Sequence, residues 1–187
     1  MADTSTDSTL FVHGTIVTMD KEKNLYPDGY IEIADGKIID IGPGCPEKIH
    51  KKTVDLKGKI VLPGLINTHA HSGSALFRGF GDDKFLMDWL QNYMWPLEKH
   101  QTPESAYVAA ALTHLEFLQN GITTNADMWY YPESIAAAAN ESGLRTVICS
   151  TIFTNGSPES KDTLKIANDF VEKYSSQKGI SRIIPAY

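Results

Sequence analysis

The order of segments after Pro63 places the strongest limit on the fold. Short apolar segments of β character alternate with longer amphipathic segments, in the order strand, helix, strand, helix, strand, helix, strand. Helices are predicted at 103–119, 132–142 and 157–176, where prolines stand near each start and glycines follow the first two. Such alternation is typical of βα units, whose parallel strands are joined by helical crossovers and buried on both faces. The sequence therefore predicts an α/β fold with a parallel sheet.

A different pattern precedes Pro63, where short β segments are broken by turns. Asp35-Gly36 lies between two alternating runs, YIEIA and KIIDIG, and predicts a tight hairpin. We therefore divide the chain into a tail at 1–9, a β-subdomain at 10–62 and an α/β region at 63–187.

Composition limits the partners and the cellular location. The 187 residues carry a net charge of −6, which disfavours nucleic acid or an anionic membrane as the main partner. No run of 18 apolar residues predicts a transmembrane helix, and the polar first residues, MADTSTDSTL, do not resemble a secretory signal. The only cysteines, Cys45 and Cys149, lie far apart and outside any C-x-x-C motif. A reduced, cytoplasmic protein is expected.

Two histidines stand at the end of the first strand of the α/β region, in the stretch LPGLINTHAHSG. Side chains at i and i+2 of a strand point to the same side, so His69 and His71 are expected to project together. The carboxyl ends of parallel strands are where α/β folds build their sites, and two imidazoles at this spacing can bind one divalent metal. By themselves they make an incomplete site, and a surface loop with two incidental histidines is the alternative.

These residues carry a resemblance to a known family. VDLKGKIVLPGLINTHAHSG resembles the amidohydrolase superfamily, in which the first barrel strand ends in His-x-His. LFRGFGDDKFLMDWLQNYMWPLEKHQTPE is similar to the group that contains methylthioadenosine/S-adenosylhomocysteine deaminases and 5′-deoxyadenosine deaminases. The resemblance implies the N-terminal part of a (β/α)8 metal-dependent hydrolase barrel, preceded by a small β-sandwich subdomain. The strands and helices at 63–187 would then be the first ones of an incomplete barrel.

The resemblance also implies a ligand set and a reaction. His69 and His71 would bind one divalent metal, usually Zn²⁺, with Fe, Mn or Ni as alternatives. A further histidine, an aspartate ligand and the general acid/base glutamate would lie beyond Tyr187, so no catalytic acid or base is expected within 1–187. The implied reaction is hydrolytic deamination of an adenosine-type nucleoside to the inosine analogue and ammonia, in salvage of S-adenosylmethionine by-products.

Three further positions bear on the substrate that the resemblance implies. Glu98, in WPLEKH, matches the glutamate that binds the ribose hydroxyls, and a carboxylate suits that role because it accepts charge-assisted hydrogen bonds. Trp89 matches a tryptophan that packs on the nucleoside, with a core aromatic as the alternative. Ser150 stands where relatives that accept S-adenosylhomocysteine often carry an arginine. This difference favours the smaller 5′-substituents of 5′-deoxyadenosine and 5′-methylthioadenosine.

Two alternatives to the nucleoside deaminase stay open. The same scaffold serves guanine and cytosine deaminases and chlorohydrolases. The 187-residue chain could also be a truncated product that binds zinc weakly and is inactive alone, although the complete gene product is an enzyme. The sequence leaves the oligomeric state open, including a homo-oligomer.

Overall fold

The computed structural model describes residues 8–47, 52–152, 158–175 and 183–186. The chain forms two compact units, residues 1–63 and residues 64–187. Residues 1–7 of the predicted tail lie outside the described residues, as do the outer residues of the last predicted helix and strand.

The first unit is a single five-stranded sheet. Its strands are β1 (Ser8–Val17), β2 (Leu25–Ala34), β3 (Lys37–Pro43), β4 (Lys52–Asp55) and β5 (Ile60–Val61). The order is β3-β2-β1-β4, with β5 also beside β1. The first three strands are antiparallel, whereas β4 and β5 both run parallel to β1. Because β4 and β5 both pair with β1, the described strands of this unit belong to one sheet, which is the β-subdomain expected before the α/β region.

The hairpin predicted at Asp35-Gly36 is confirmed. Ala34 pairs with Lys37 across a two-residue turn. The φ angles are 51° at Asp35 and 70° at Gly36, which is the left-handed backbone that a type I′ turn requires at both central positions. The turn sets the β2–β3 register, and the sheet buries a small apolar cluster formed by Ile16, Ile31 and Leu56.

The second unit is a parallel α/β layer. In chain order it contains β6 (Leu65–Ala70), a 3₁₀ turn (Ser72–Phe77), α1 (Leu86–Trp89), a π turn (Leu90–Met94), α2 (Trp95–Glu98), α3 (Pro103–Gln119), β7 (Ile122–Trp129), α4 (Pro132–Ser142), β8 (Arg145–Ser150), α5 (Pro158–Ser175) and β9 (Ile183–Ala186). The strand order is β6-β7-β8-β9, and every neighbouring pair is parallel. The α/β class inferred from the alternation of segments is confirmed.

The ends of α3 and α4 follow from local hydrogen bonding. The Thr102 side chain accepts from the backbone amide of Ser105, and the Ser105 side chain accepts in return from the backbone amide of Thr102, a capping box. Gly121 and Gly143, with φ of 76° and 78°, adopt the left-handed backbone that ends a helix at little cost. Within the described residues, none of the helices combines the length and apolar character that a membrane crossing needs.

The main core lies between the parallel sheet and its helices. Along β7, alternate residues are buried on the helix side, which places Asn125, Asp127 and Trp129 there. Apolar residues of β8 and β9 and small residues of α3 and α4 complete this side: Ala106, Ala110, Ala136, Ala139, Ile148 and Ile183. The opposite side of the sheet is more open, with Met128 40% exposed. That open side carries the candidate site.

Candidate metal centre and substrate cleft

The two histidines of the H-x-H motif converge. His69 is the penultimate residue of β6 and His71 follows that strand directly, whereas Ala70 between them is buried. The two Nε2 atoms are 3.1 Å apart, and the rings are nearly perpendicular. Two nitrogens bound tetrahedrally to one zinc at 2.0–2.1 Å would be about 3.3 Å apart. The pair is thus spaced as two ligands of one ion.

The far side of the His71 ring is fixed by the neighbouring strand. Nδ1 of His71 lies 3.1 Å from the carbonyl oxygen of Met128 in β7. A carbonyl oxygen only accepts hydrogen bonds, so we place the proton on Nδ1, which leaves the Nε2 lone pair directed at the cleft. Metal-binding histidines are commonly oriented in this way by a second hydrogen bond. The donor chemistry of the pair therefore fits a zinc ion.

Two ligands do not complete a zinc site, because catalytic zinc usually has three protein ligands and a water. Among the described residues, no group of three or more His, Cys, Asp or Glu side chains is arranged to hold a metal. Cys149 lines the same side of the sheet as the histidines. Burial raises the pKa of its thiol, which favours the protonated form.

An open cleft of about 350 Å³ lies beside the histidine pair. Its wall includes Trp89 together with the aromatic rings of Phe77, Phe80 and Phe117. Trp89 is half-buried at the end of α1, and its indole Nε1 donates to the carbonyl oxygen of Phe80 at 3.1 Å. The structure thus brings Trp89 to the same cleft as His69 and His71. An apolar, aromatic wall beside polar groups is typical of small-molecule sites.

Glu98, unlike Trp89, lies outside the wall of this cleft. It ends α2 and is not among the residues that line this cleft. Its Oε2 accepts a hydrogen bond of 2.6 Å from the hydroxyl of Tyr130, the residue after β7. Burial, and then this carboxylate, raise the pKa of Tyr130 above its ordinary value, so the hydroxyl stays a donor. Glu98 is therefore held near the carboxyl end of β7 but outside the wall that contains Trp89.

The turn after His71 is held by polar side chains of β7, of α3 and of the segment just before α3. The amide of Ser72 donates to Oδ1 of Asp127 at 3.0 Å, and the hydroxyl of Thr113 donates to the Ser72 carbonyl at 3.1 Å. Gln101 donates from Nε2 to the carbonyl of Gly73. The sequence pattern that could have indicated the role of Asp127 is the N-x-D-x-W alternation of β7, which places polar residues on the buried side.

Asn125 and Asp127 lie in β7, where the sequence allows them either to line the pocket or to cap the following helix α4. Asn125 is buried on the helix side. Asp127 is buried as well and holds the turn after His71, and it also lines a second cleft that both histidines and Cys149 share, as the pocket-lining interpretation predicts. Neither caps α4, whose N-cap position is Tyr131 and has no side-chain cap. The capping interpretation is wrong because the N-cap position of α4 lies several residues later in the chain.

Two other polar residues are part of the scaffold. His114 of α3 is fully buried, and this burial lowers the pKa of its imidazole, although the nearby Asp127 carboxylate opposes the shift. Arg78, which directly follows the Ser72–Phe77 turn, forms a paired contact with both carboxylate oxygens of Glu116 at 2.9 and 2.8 Å. The pair joins the loop beside the cleft to α3.

Curated proteins of known name are similar to this chain in sequence. The chain is 36% identical over 179 residues to 5-methylthioadenosine/S-adenosylhomocysteine deaminase of Bacillus cereus (strain AH820), covering 92% of this chain and 41% of that protein. The chain thus spans less than half the length of the curated relatives it matches. The protein of the same name from Bacillus thuringiensis (strain Al Hakam) has the same identity and coverage.

Solved structures with lower identity share the fold. An adenosine deaminase from Xanthomonas campestris with bound zinc has a TM-score of 0.80 at 23% identity, covering 96% of this chain and 42% of that one. An atrazine chlorohydrolase from Arthrobacter aurescens TC1, complexed with zinc, has a TM-score of 0.80 at 21% identity, covering 94% and 45%. The model of the amidohydrolase family matches residues 60–184, about two thirds of the sequence. This chain belongs to the amidohydrolase family.

Proposed function

We propose that the complete gene product is a metal-dependent hydrolytic deaminase of adenosine-type nucleosides, with His69 and His71 as two of its metal ligands. The observation that carries the proposal is the convergence of the two Nε2 atoms, 3.1 Å apart, at the carboxyl end of β6. The substrate class rests on the 36% identity to a 5-methylthioadenosine/S-adenosylhomocysteine deaminase over 92% of the chain.

The proposed reaction adds water at C6 of the adenine ring and releases ammonia, giving the inosine analogue. A zinc ion bound by the histidine pair would supply Lewis acidity and lower the pKa of water to about 7. The residues of this chain hold that ion and orient the substrate. The hydrogen bond from Nδ1 of His71 to Met128 keeps the ring turned so that Nε2 faces the cleft.

Trp89 and Glu98 are proposed to hold the nucleoside. The indole of Trp89 lines the cleft beside the histidines and offers a flat apolar surface for the purine. Glu98 would accept hydrogen bonds from the ribose hydroxyls. Its hydrogen bond from Tyr130 uses one acceptor position of a carboxylate that has about four, so capacity for the ribose remains.

The substrate itself is tested by incubating the complete gene product with 5′-deoxyadenosine and 5′-methylthioadenosine. We expect the ultraviolet absorbance to change from that of adenine to that of hypoxanthine. Because Ser150 offers no cationic partner for the homocysteine carboxylate, kcat/KM should be lower for S-adenosylhomocysteine than for these two nucleosides. Turnover of guanine with none of the adenine nucleosides would refute the proposal.

The role of Glu98 is tested with Glu98→Gln. We expect kcat/KM for 5′-deoxyadenosine to fall about 10- to 100-fold, since hydrogen bonds to a charged group contribute about 1.5–3 kcal/mol. The rate with free adenine, which lacks ribose, should not change. Steady-state kinetics with both substrates measures this difference.

Two matched variants separate ribose binding from general damage. Glu172→Gln makes the same change on the exposed surface of α5 and should leave the kinetics unchanged. Tyr130→Phe removes the hydroxyl that donates to Glu98 but retains the carboxylate. Equal losses with adenine and with the nucleoside in Glu98→Gln would contradict a ribose contact.

A further inference from the structure

Polar side chains from outside the turn after His71 bind its backbone groups, and two of these side chains, those of Asp127 and Gln101, are buried. Asp127 of β7 accepts from the amide of Ser72, and Thr113 of α3 donates to the Ser72 carbonyl. Gln101, just before α3, donates to the carbonyl of Gly73 at 2.5 Å. Separate segments of the unit therefore fix the backbone immediately after the proposed ligand.

Asp127 is a buried carboxylate on the side of the sheet that carries both apolar residues and the polar residues Asn125 and Thr146. It is 2% exposed, and the residue paired with it in β8 is Ile148, at 0%. A buried polar group destabilises a fold unless it is hydrogen-bonded, so a residue serving only to fill this layer would be expected to be apolar. The carboxylate accepts a hydrogen bond of 3.0 Å from the Ser72 amide and a longer one, of 3.4 Å, from the Asn125 side chain.

Gln101 links the same turn to the end of β7. It is 7% exposed, and its Oε1 accepts from the indole Nε1 of Trp129 at 2.7 Å while its Nε2 binds the carbonyl of Gly73. Both ends of one amide are therefore used, which fixes its orientation. The carbonyl of Met128, the residue before Trp129, is the partner of the His71 ring. Gln101 thus connects the backbone after His71 to the strand that orients its imidazole.

We propose that Asp127 and Gln101 are positioning residues of the metal centre, which hold the backbone of Ser72 and Gly73 so that His71 meets the ion beside His69. The inference rests on the proposed function, because it assumes that the histidine pair binds a metal. Neither side chain is proposed to touch the ion or the substrate. Site geometry tolerates errors of only about 0.5 Å, so a loosened turn weakens binding without removing a ligand.

The test measures zinc affinity of the complete gene product by competition with a chromophoric chelator, well below the unfolding temperature of every variant. Asp127→Ala is expected to weaken zinc binding about 10-fold, at the lower end of the range for residues that support a metal ligand. The Ser72 amide, which loses its acceptor, should exchange its hydrogen faster. Gln101→Leu, which keeps a side chain of similar size, is also expected to weaken zinc binding.

Asp127→Asn is the conservative variant that distinguishes a hydrogen bond from a charge. An asparagine oxygen still accepts from Ser72. In the native chain the Asn125 amide nitrogen lies 3.4 Å from Oδ2 of Asp127, so the new amide group of the variant would face another amide nitrogen. Asn125 can turn its own Oδ1 towards that group, because this oxygen has no hydrogen-bond partner among the described residues. We therefore expect Asp127→Asn to retain most of the zinc affinity.

Thr146→Val is the matched control. Thr146 lies fully buried on the same side of the sheet, paired with Asn125, and its hydroxyl has no hydrogen-bond partner among the described residues. The change removes a buried polar group without touching the turn, so zinc affinity should be unchanged.

The outcomes separate this inference from the function on which it rests. Weak binding in Asp127→Ala with near-native binding in Asp127→Asn supports the positioning role. Equal weakening in both would assign Asp127 an effect of charge and overturn it, as would native affinity in Asp127→Ala and Gln101→Leu. A wild-type protein that binds zinc no better than His71→Ala would refute the metal centre itself.

Discussion

Replacing His69 or His71 by alanine is expected to remove the tightly bound metal from the complete gene product and to lower kcat/KM for 5′-deoxyadenosine about 10³-fold or more. The two Nε2 atoms converge to 3.1 Å, so neither imidazole can be lost without leaving the other as a single ligand from this strand. Metal activation contributes several kcal/mol to such reactions, and about 4 kcal/mol corresponds to 10³ in rate. Elemental analysis and steady-state kinetics measure both effects.

His100→Ala is the matched control for the two histidine variants. His100 is exposed after α2 and does not line the cleft, so metal content and kinetics should be unchanged. A His71→Ala protein that retains one ion per chain and native kcat/KM would place the metal elsewhere and remove the basis of the proposed site.

Much of the fold could be predicted because local chemistry determined it. Asp35-Gly36 required a left-handed two-residue turn, and Thr102 and Gly143 marked helix ends by capping and by a left-handed backbone. The alternation of strands and helices then left a parallel sheet as the consistent arrangement. The shared direction of His69 and His71 followed from the same strand geometry.

The contacts that support the site could not be predicted in the same way. Asp127 meets Ser72 across 55 sequence positions, and Gln101 meets Gly73 across 28. Such pairs depend on strand register and on the path of the loop between β6 and α3, where α1, a π turn and α2 were not expected from sequence. Whether a polar strand residue faces the core or the solvent can be inferred only when the strand register is known.

The glycine two residues after His71 is required by packing, and we expect Gly73→Val to reduce the free energy of unfolding by about 3 kcal/mol, the upper end of the usual effect of overpacking. A Cβ at this position would lie 2.2 Å from Cδ1 and Nε1 of Trp129, whose indole is 5% exposed and donates to Gln101. The backbone of Gly73 does not need a glycine for its φ angle, so the cost is steric. Urea denaturation measures it, and Gly73→Ala should show a smaller loss.

The same substitution should weaken zinc binding, because relieving the overlap moves either the turn after His71 or the indole that holds Gln101. Gly36→Ala is the control: φ is 70° and no atom lies within 4 Å of the new Cβ, so it should cost about 1 kcal/mol from backbone strain and leave zinc affinity unchanged. If Gly73→Val unfolds at the same urea concentration as the wild-type protein, the turn is not closely packed on Trp129. If it loses stability but keeps native zinc affinity, the turn and the metal centre are not coupled, and the histidines are held by β6 alone.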